Sequence, residues 1–472
     1  MKRITVILLL LVSTTLSGCR DWLDINENPN YVSNADKTSL LPTVALETAD
    51  KVGYELTLVG LFWSQYVVQN KNTNQYTTIM DYNLNTQSSY FTFPWSYLYV
   101  RVLPTIKEIL TQCAGESNAS NFELEAKTML VYNLYLLTSL YDEVAYTEGY
   151  LAAETNTTPH FDSGEKMQQV IIGLLEEIRA MDTAKIAADE SANTSSTSDM
   201  IFGGDVEQWM KFANTLYLRV LLRDFDTNRS KIEALLTENK LLDTKDAAFD
   251  NFANEADRSN PLYESDRRQL NTDQNIRCCK DILGVLSESD PRLAYYYETT
   301  DDGKFLGVSY GTLPTPAEAT RLQLGAQDPV YFATIDEAYF LKAEAYARLG
   351  NASEAKNNYD AAIKAAFTRC GCTGADDFIA GDYAFDMVAG TEAMVEQIIN
   401  QKWAANVRCM PIESWFDLNR TGYPTRGTTI TDSKGVLGDY PYRFLYPYTS
   451  TDYNPNSPEV EPLNAKMWWH KK

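Results

Sequence analysis

Histidine is nearly missing from this chain, at two of 472 residues: His160 in a loop context and His470 close to the end. That scarcity leaves no well-placed Ser-His-Asp or Cys-His arrangement and removes the commonest metal ligand. Cysteine is sparse too. Cys113, Cys278, Cys279, Cys370, Cys372 and Cys409 lack the spacing of a zinc knuckle, so they read as structural, and neither metal nor cofactor is expected. No G-x-S-x-G, G-x-x-x-x-G-K-[ST] or H-E-x-x-H motif occurs, and Gly203-Gly204 is a lone pair, not a phosphate cradle. Positive charge is short as well, with 41 Lys and Arg against 64 Asp and Glu and a net charge of -23. Such a balance repels phosphate backbones and argues against a nucleic-acid partner. The surviving catalytic class is a carboxylate-pair glycosidase, which abundant acids always permit and no motif here supports.

What the sequence does contain starts with its first residues. Lys2 and Arg3 precede an apolar run from Ile4 to Val12, and Leu16-Ser17-Gly18 lead into Cys19. The run is too short for a permanent membrane span and has the form of a secretory signal. Its end resembles a bacterial lipobox, in which Cys19 becomes the first residue and carries lipid. Residues 1–18 are therefore expected to be removed, 19–40 to form a lipidated arm, and 41–472 to form one helical domain. Loss of the signal takes Lys2 and Arg3 away and leaves about 25 net negative charges. No later stretch approaches the ~18 apolar residues of a span, so the body is expected to be soluble and tethered. A triacylated cysteine supplies more than the single chain that anchors only marginally.

Helical periodicity dominates the body. Met167, Val170, Ile171, Leu174, Leu175, Ile178 and Met181 recur at three and four, placing one apolar stripe on a helix. The Ser/Thr-rich run from Asn193 to Asp199 breaks it. Asp205 and Gln208 then predict a capping box for a helix whose Trp209, Phe212, Ala213, Leu216 and Val220 share a face. Leu124 to Leu140 and Thr391 to Trp403 also predict helices. From Ile335 to Phe367 the chain resembles a tetratricopeptide repeat: Tyr339, Ala343 and Tyr346 on one helix, Gly350 at the turn, and Ala355, Tyr359 and Ala362 on the next. Lys342 and Phe367 depart from that pattern, and no second copy is as good.

Between the helices lie two long polar, aromatic stretches, Gln69 to Trp95 and Ser259 to Thr315. Long loops in compact proteins are usually functional. Tyr and Trp among Asn, Gln and Asp make surfaces on which the C–H face of a sugar stacks while amides and carboxylates bond its hydroxyls. The expected ligand residues are therefore Tyr76, Tyr82, Tyr90 and Trp95, with Asn74 as a hydroxyl partner, from the first stretch and Tyr296 and Tyr310 from the second. Trp63 is assigned to the core, because Leu58, Leu61, Phe62 and Gln65-Tyr66 around it read as helix. Trp468 and Trp469 are read as pinning the tail.

The segment Asp24-Ile25-Asn26-Glu27-Asn28-Pro29-Asn30 after Cys19, followed by Leu40-Leu41-Pro42-Thr43, resembles the entry pattern of SusD/RagB-like nutrient-binding lipoproteins of the bacterial outer membrane. "YNLYLLTSLYDEVAYTE" (132–148) is similar to the family's helix ending in LTDxYGDIPYSEA, with Glu143 in place of Gly. "FGGDVEQWMKFANTLYLRVLLR", "QKWAANVRCMPIESWFDLNRTGYP" and "PYRFLYPYTSTDYNPN" resemble its later segments. The resemblance implies a mostly α, SusD-like helical fold with tetratricopeptide-like helix pairs beside a loop-rich ligand face. It also implies an outer-membrane, cell-surface lipoprotein without enzymatic activity. Such a protein binds an oligosaccharide, or in some members a peptide, and serves as the lid of a SusC-like TonB-dependent β-barrel transporter. A helical scaffold that binds only protein is the other alternative. Arg420 to Pro424 and Pro441 to Pro447 are expected to fix loops over the core.

Overall fold

The computed structural model describes residues 35–116, 118–153, 156–188, 193–272, 274–425 and 440–470. Cys19, the expected signal and most of the expected arm lie outside these residues. Among the described residues the chain is mostly helical. The first helix, α1 (Lys37–Lys51), is capped by the Asp36 carboxylate, which accepts from the Thr38 N–H, so the helix begins inside the segment expected to be arm. It runs through a π-helical turn (Val52–Leu56) into α2 (Thr57–Trp63). The core continues with α3 (Leu103–Cys113), α4 (Ser120–Tyr141), α5 (Gly164–Arg179), α6 (Val206–Leu221) and α7 (Phe225–Glu238). It is completed by α8 (Ile335–Arg348), α9 (Ala352–Arg369), α10 (Thr391–Ala405) and α11 (Pro411–Thr421).

The apolar stripe of α5 does what its spacing predicts: Met167, Ile171, Leu175 and Ile178 are buried, facing α4 and α6. At the start of α6 the Asp205 carboxylate accepts from the Glu207 and Gln208 N–H groups. Only half of the capping box forms, because the Gln208 amide turns away to donate to Thr244 at 2.8 Å. The tetratricopeptide-like unit is the α8–α9 hairpin. Thr334 and Asn351 cap its two helices, and Gly350 turns the chain at a φ of +80°, where a Cβ would be strained. Ala343, Ala355 and Ala362 are fully buried and let the helices approach closely. This hairpin then packs against α10.

Two short antiparallel sheets tie distant loops together. β1 (Val67–Gln69) pairs with β3 (Ile276–Cys278), Val68 lying opposite Arg277, while β2 (Ala247–Phe249) pairs with β4 (Val330–Ala333). The centre of the core is aromatic. Trp63, on α2, meets Trp415 of α11 at 5.0 Å between ring centroids and Phe444 at 5.5 Å. The two helices touch through Gly60, where a Cβ would stand 2.3 Å from the Ile412 nitrogen. Trp469 is buried against Phe416 and the Arg223 guanidinium, which fixes the end of the chain.

A buried carboxylate, Glu55, sits in the π-helical turn between α1 and α2. Burial outweighs the Lys51 ammonium, 3.2 Å away, and raises the Glu55 carboxyl to about 7. A carboxyl that holds its proton more tightly in the folded chain favours folding at low pH, and that contribution is lost as pH rises from its ordinary 4.5 towards 7. Glu55→Gln is therefore expected to raise the melting temperature at pH 7.5 by about 2 °C and to change it little at pH 4.5. Calorimetric melts at the two pH values check this. A lower melting temperature at pH 7.5 would mean instead that Lys51 needs an ionised partner there.

Candidate functional site

The two long loops meet through the β1–β3 pairing and the Tyr82–Tyr310 stack, but the aromatics expected to form a ligand face mostly point inwards. Tyr76 is fully buried and donates its hydroxyl to Asp266 at 2.8 Å. Tyr82 packs edge-on to Trp63 at 6.3 Å and stacks on Tyr310 at 6.0 Å, and Tyr310 in turn donates to the Met80 carbonyl. Tyr296 lies in a short helix (Arg292–Tyr296), buried, with its hydroxyl on the Ala405 carbonyl at 3.3 Å. Trp95 opens a π-helical segment (Trp95–Val102) and is 4% exposed among Tyr99, Tyr141, Phe161 and Tyr446. These five side chains therefore offer no open ring face to a sugar in this structure, which corrects their expected place on the surface.

The physical reason is plainest for Tyr296 and Tyr310, whose hydroxyls donate to backbone carbonyls. Loop segments without ladder partners leave backbone carbonyls to be satisfied, and a tyrosine brings both an apolar ring for the gap and a hydroxyl for the carbonyl. Burial accordingly pushes the Tyr76, Tyr296 and Tyr310 hydroxyls well above the ordinary tyrosine range. Tyr90 stays half-buried and shares a hydrogen bond with Tyr54. Asn74 is exposed beside Lys71, whose backbone N–H donates to the Pro314 carbonyl at 2.8 Å and joins the two long loops.

Where the second long loop meets the end of α2 there is a cavity of about 390 Å³, at the small end of the range for small-molecule pockets. It is lined by Ser64 and Gln65 just after α2, by Lys280 and Asp281, and by Trp403, Pro424 and Thr425. Gln65 has a φ of +59°, a left-handed conformation uncommon outside glycine, which places its backbone at the turn from α2 into β1. Trp403 is held rigidly, stacked on Tyr66 at 4.7 Å and donating its indole N–H to the Ser64 carbonyl at 3.0 Å. Lys280 receives the neighbouring loop through its backbone, its N–H donating to the Val308 carbonyl at 2.8 Å. Gly307 lies so close above it that a Cβ there would stand 2.9 Å from the Lys280 backbone. Burial raises the Asp281 carboxyl against the opposing pull of Lys280.

Ser64, Gln65 and Trp403 are buried behind the cavity, so the groups it offers are the exposed Lys280 ammonium and Thr425 hydroxyl and the half-buried Asp281 carboxylate. These groups can hydrogen-bond a polyhydroxylated ligand, and Lys280 and Asp281 bring opposite charges side by side. Sequence reasoning missed all of them, because they come from separate segments with no shared period. The one available signal was that Trp403 and Pro424 belong to the late segment that carries the family resemblance. Among the described residues no group of three or more His, Cys, Asp or Glu is placed to hold a metal, and the six described cysteines are free thiols.

Comparison with known proteins places this architecture. A SusD homologue from Bacteroides uniformis is 21% identical, with 92% of this chain and 99% of that one covered at a TM-score of 0.75. A chitin-binding SusD homologue from Flavobacterium johnsoniae is also 21% identical, over 92% and 97%, with a TM-score of 0.73. A SusD homologue from Bacteroides vulgatus gives 20% identity over 88% and 91%, with a TM-score of 0.73. No curated protein matches. Residues 29–447 match the profile of a SusD-like family described as starch-binding and associating with the outer membrane, and the chain belongs to that family.

Proposed function

We propose that the protein is a cell-surface lipoprotein of the outer membrane that captures nutrient oligosaccharides on its loop face and delivers them to a SusC-like TonB-dependent β-barrel transporter. In this reading residues 1–18 are the signal, Cys19 is the lipid anchor, 19–40 is the arm and 41–472 is one binding domain that breaks no bond. The observation that carries it is the family match over 29–447, joined to a cavity whose accessible hydroxyl and charged groups suit sugar hydroxyls. No helix among the described residues is long and apolar enough to cross a membrane, so attachment in this reading falls to the lipid. Asn74 and Lys280 are the exposed polar groups assigned to the ligand.

Affinity gel electrophoresis of the body lacking residues 1–19, against a panel of polysaccharides, tests this. One polymer is expected to retard the protein without losing chain length, and Lys280→Ala is expected to weaken that retardation about tenfold, the cost of one charge-assisted hydrogen bond. Asn74→Ala should weaken it less. Retardation by no polymer, alongside binding of cationic peptides to this strongly acidic chain, would transfer the role to peptide capture. Shortening of a polymer would make it a glycosidase.

A further inference from the structure

A second concavity lies away from the loop-face cavity, between α1 and the segment that follows β2. It encloses about 710 Å³, room for more than one sugar ring. Its α1 wall carries Leu46, Glu47 and Asp50, its opposite wall Asn251, Phe252 and Glu264, and its end Tyr54 and Gln269. The apolar faces are open to an occupant: Leu46 is 51% exposed and Phe252 is half-buried.

The state of the carboxylates decides what such a pocket can take. Glu47 is held by the Arg101 guanidinium, Asp50 by the Lys51 ammonium at 2.9 Å, and Glu264 by the Ser259 hydroxyl and by Arg268 at 3.4 Å. Arg101, Lys51 and Arg268 are not part of the lining, whereas exposed Asp257 and Arg258 are, adding one charge of each sign. Glu47, Asp50 and Glu264 therefore have their charges balanced by neighbouring cations while keeping lone pairs to accept from a ligand. A pocket of free carboxylates would demand a cation; one of neutralised acceptors suits hydroxyl donors. Exposed Asn251 and Gln269 add groups that both donate and accept, and Tyr54 is braced by hydrogen bonds to Ser265 and Tyr90.

We infer that this cleft is a second binding site, for a short neutral saccharide, separate from the loop-face cavity. The inference rests on the glycan-binding reading but is tested apart from it. Saturation-transfer NMR on the soluble body, with maltose, cellobiose and N,N′-diacetylchitobiose as separate probes and trilysine as the cationic one, reads the cleft directly. One disaccharide is expected to bind saturably, to lose about fivefold in affinity with Asn251→Ala or Gln269→Ala, and to keep its affinity in Lys280→Ala. Both cleft substitutions are at exposed positions, and unchanged thermal melts would show that they fold. No disaccharide binding, or loss with Lys280→Ala alone, overturns the second site, while polymer retardation in gels still reports on the loop face. Binding of trilysine in place of every sugar would also overturn it, by showing the acids to be free charges.

Discussion

Glu337→Ala is expected to destabilise the fold by about 3–5 kcal/mol, the usual cost of leaving buried charges without a partner. Arg219 of α6 donates from Nε to Glu337 of α8 at 2.9 Å, and Lys402 of α10 lies 3.4 Å from the same carboxylate. Lys402 also pairs with Asp417 of α11 at 2.8 Å, and Asp417 with Arg420, which binds Glu344 back on α8. Every one of these residues is buried, so no solvent can take over a missing partner. The network joins four helices, and Glu337, like Asp417, is shared by two of its cations. Urea unfolding followed by circular dichroism measures the loss; a midpoint equal to that of the wild type would mean that water enters the network. The other end of the network behaves differently in acid. Burial alone would raise the Glu344 carboxyl, but Arg420 and Arg348 outweigh it and hold it far below the carboxylate range. A depressed carboxyl stabilises the fold above its ordinary pKa of 4.5 and loses that contribution only as pH falls towards its folded value. The pairing of α8 with α11 is thus retained in mild acid.

Trp95→Ala should cost about 3–5 kcal/mol in stability and leave polysaccharide affinity per folded molecule unchanged. Its indole is stacked on Tyr99 at 4.8 Å and on Phe161 at 5.9 Å, with Tyr141 and Tyr446 meeting it edge-on. Truncation would empty the centre of that cluster, which joins the Tyr446 loop to α4. A thermal melt together with affinity gels run well below the new midpoint separates the two effects. Loss of affinity without loss of stability would return Trp95 to the ligand face.

That reversal shows where the sequence could be read and where it could not. The α5 stripe, the Asp205 cap, the Gly350 turn and the core position of Trp63 follow from spacings within one element, and all four are visible in a local window. The fate of Tyr76 is not local, because its hydroxyl is satisfied by Asp266, a partner brought near by the pairing of β1 with β3. A tyrosine among amides looks the same in sequence whether it faces a sugar or a loop carbonyl. The cavity of Gln65, Lys280 and Trp403 was hidden for the same reason, and so was the half-formed cap, whose Gln208 found a better partner in Thr244.

The contact of α2 with α11 through Gly60 also fixes an order of assembly. Tyr66 donates to the Trp403 carbonyl at 2.5 Å, Ser64 to the Pro411 carbonyl at 3.1 Å, and the Phe444 N–H to the Leu140 carbonyl at 2.6 Å. Residues near α2 are therefore closed by partners more than 300 positions later in the chain. Contacts across such sequence distances must pay the entropy of a very large loop before they return any stability, which slows folding. Until residues 403–446 dock, Trp63 lacks both Trp415 and Phe444, so the aromatic centre is buried only in the last stage of folding.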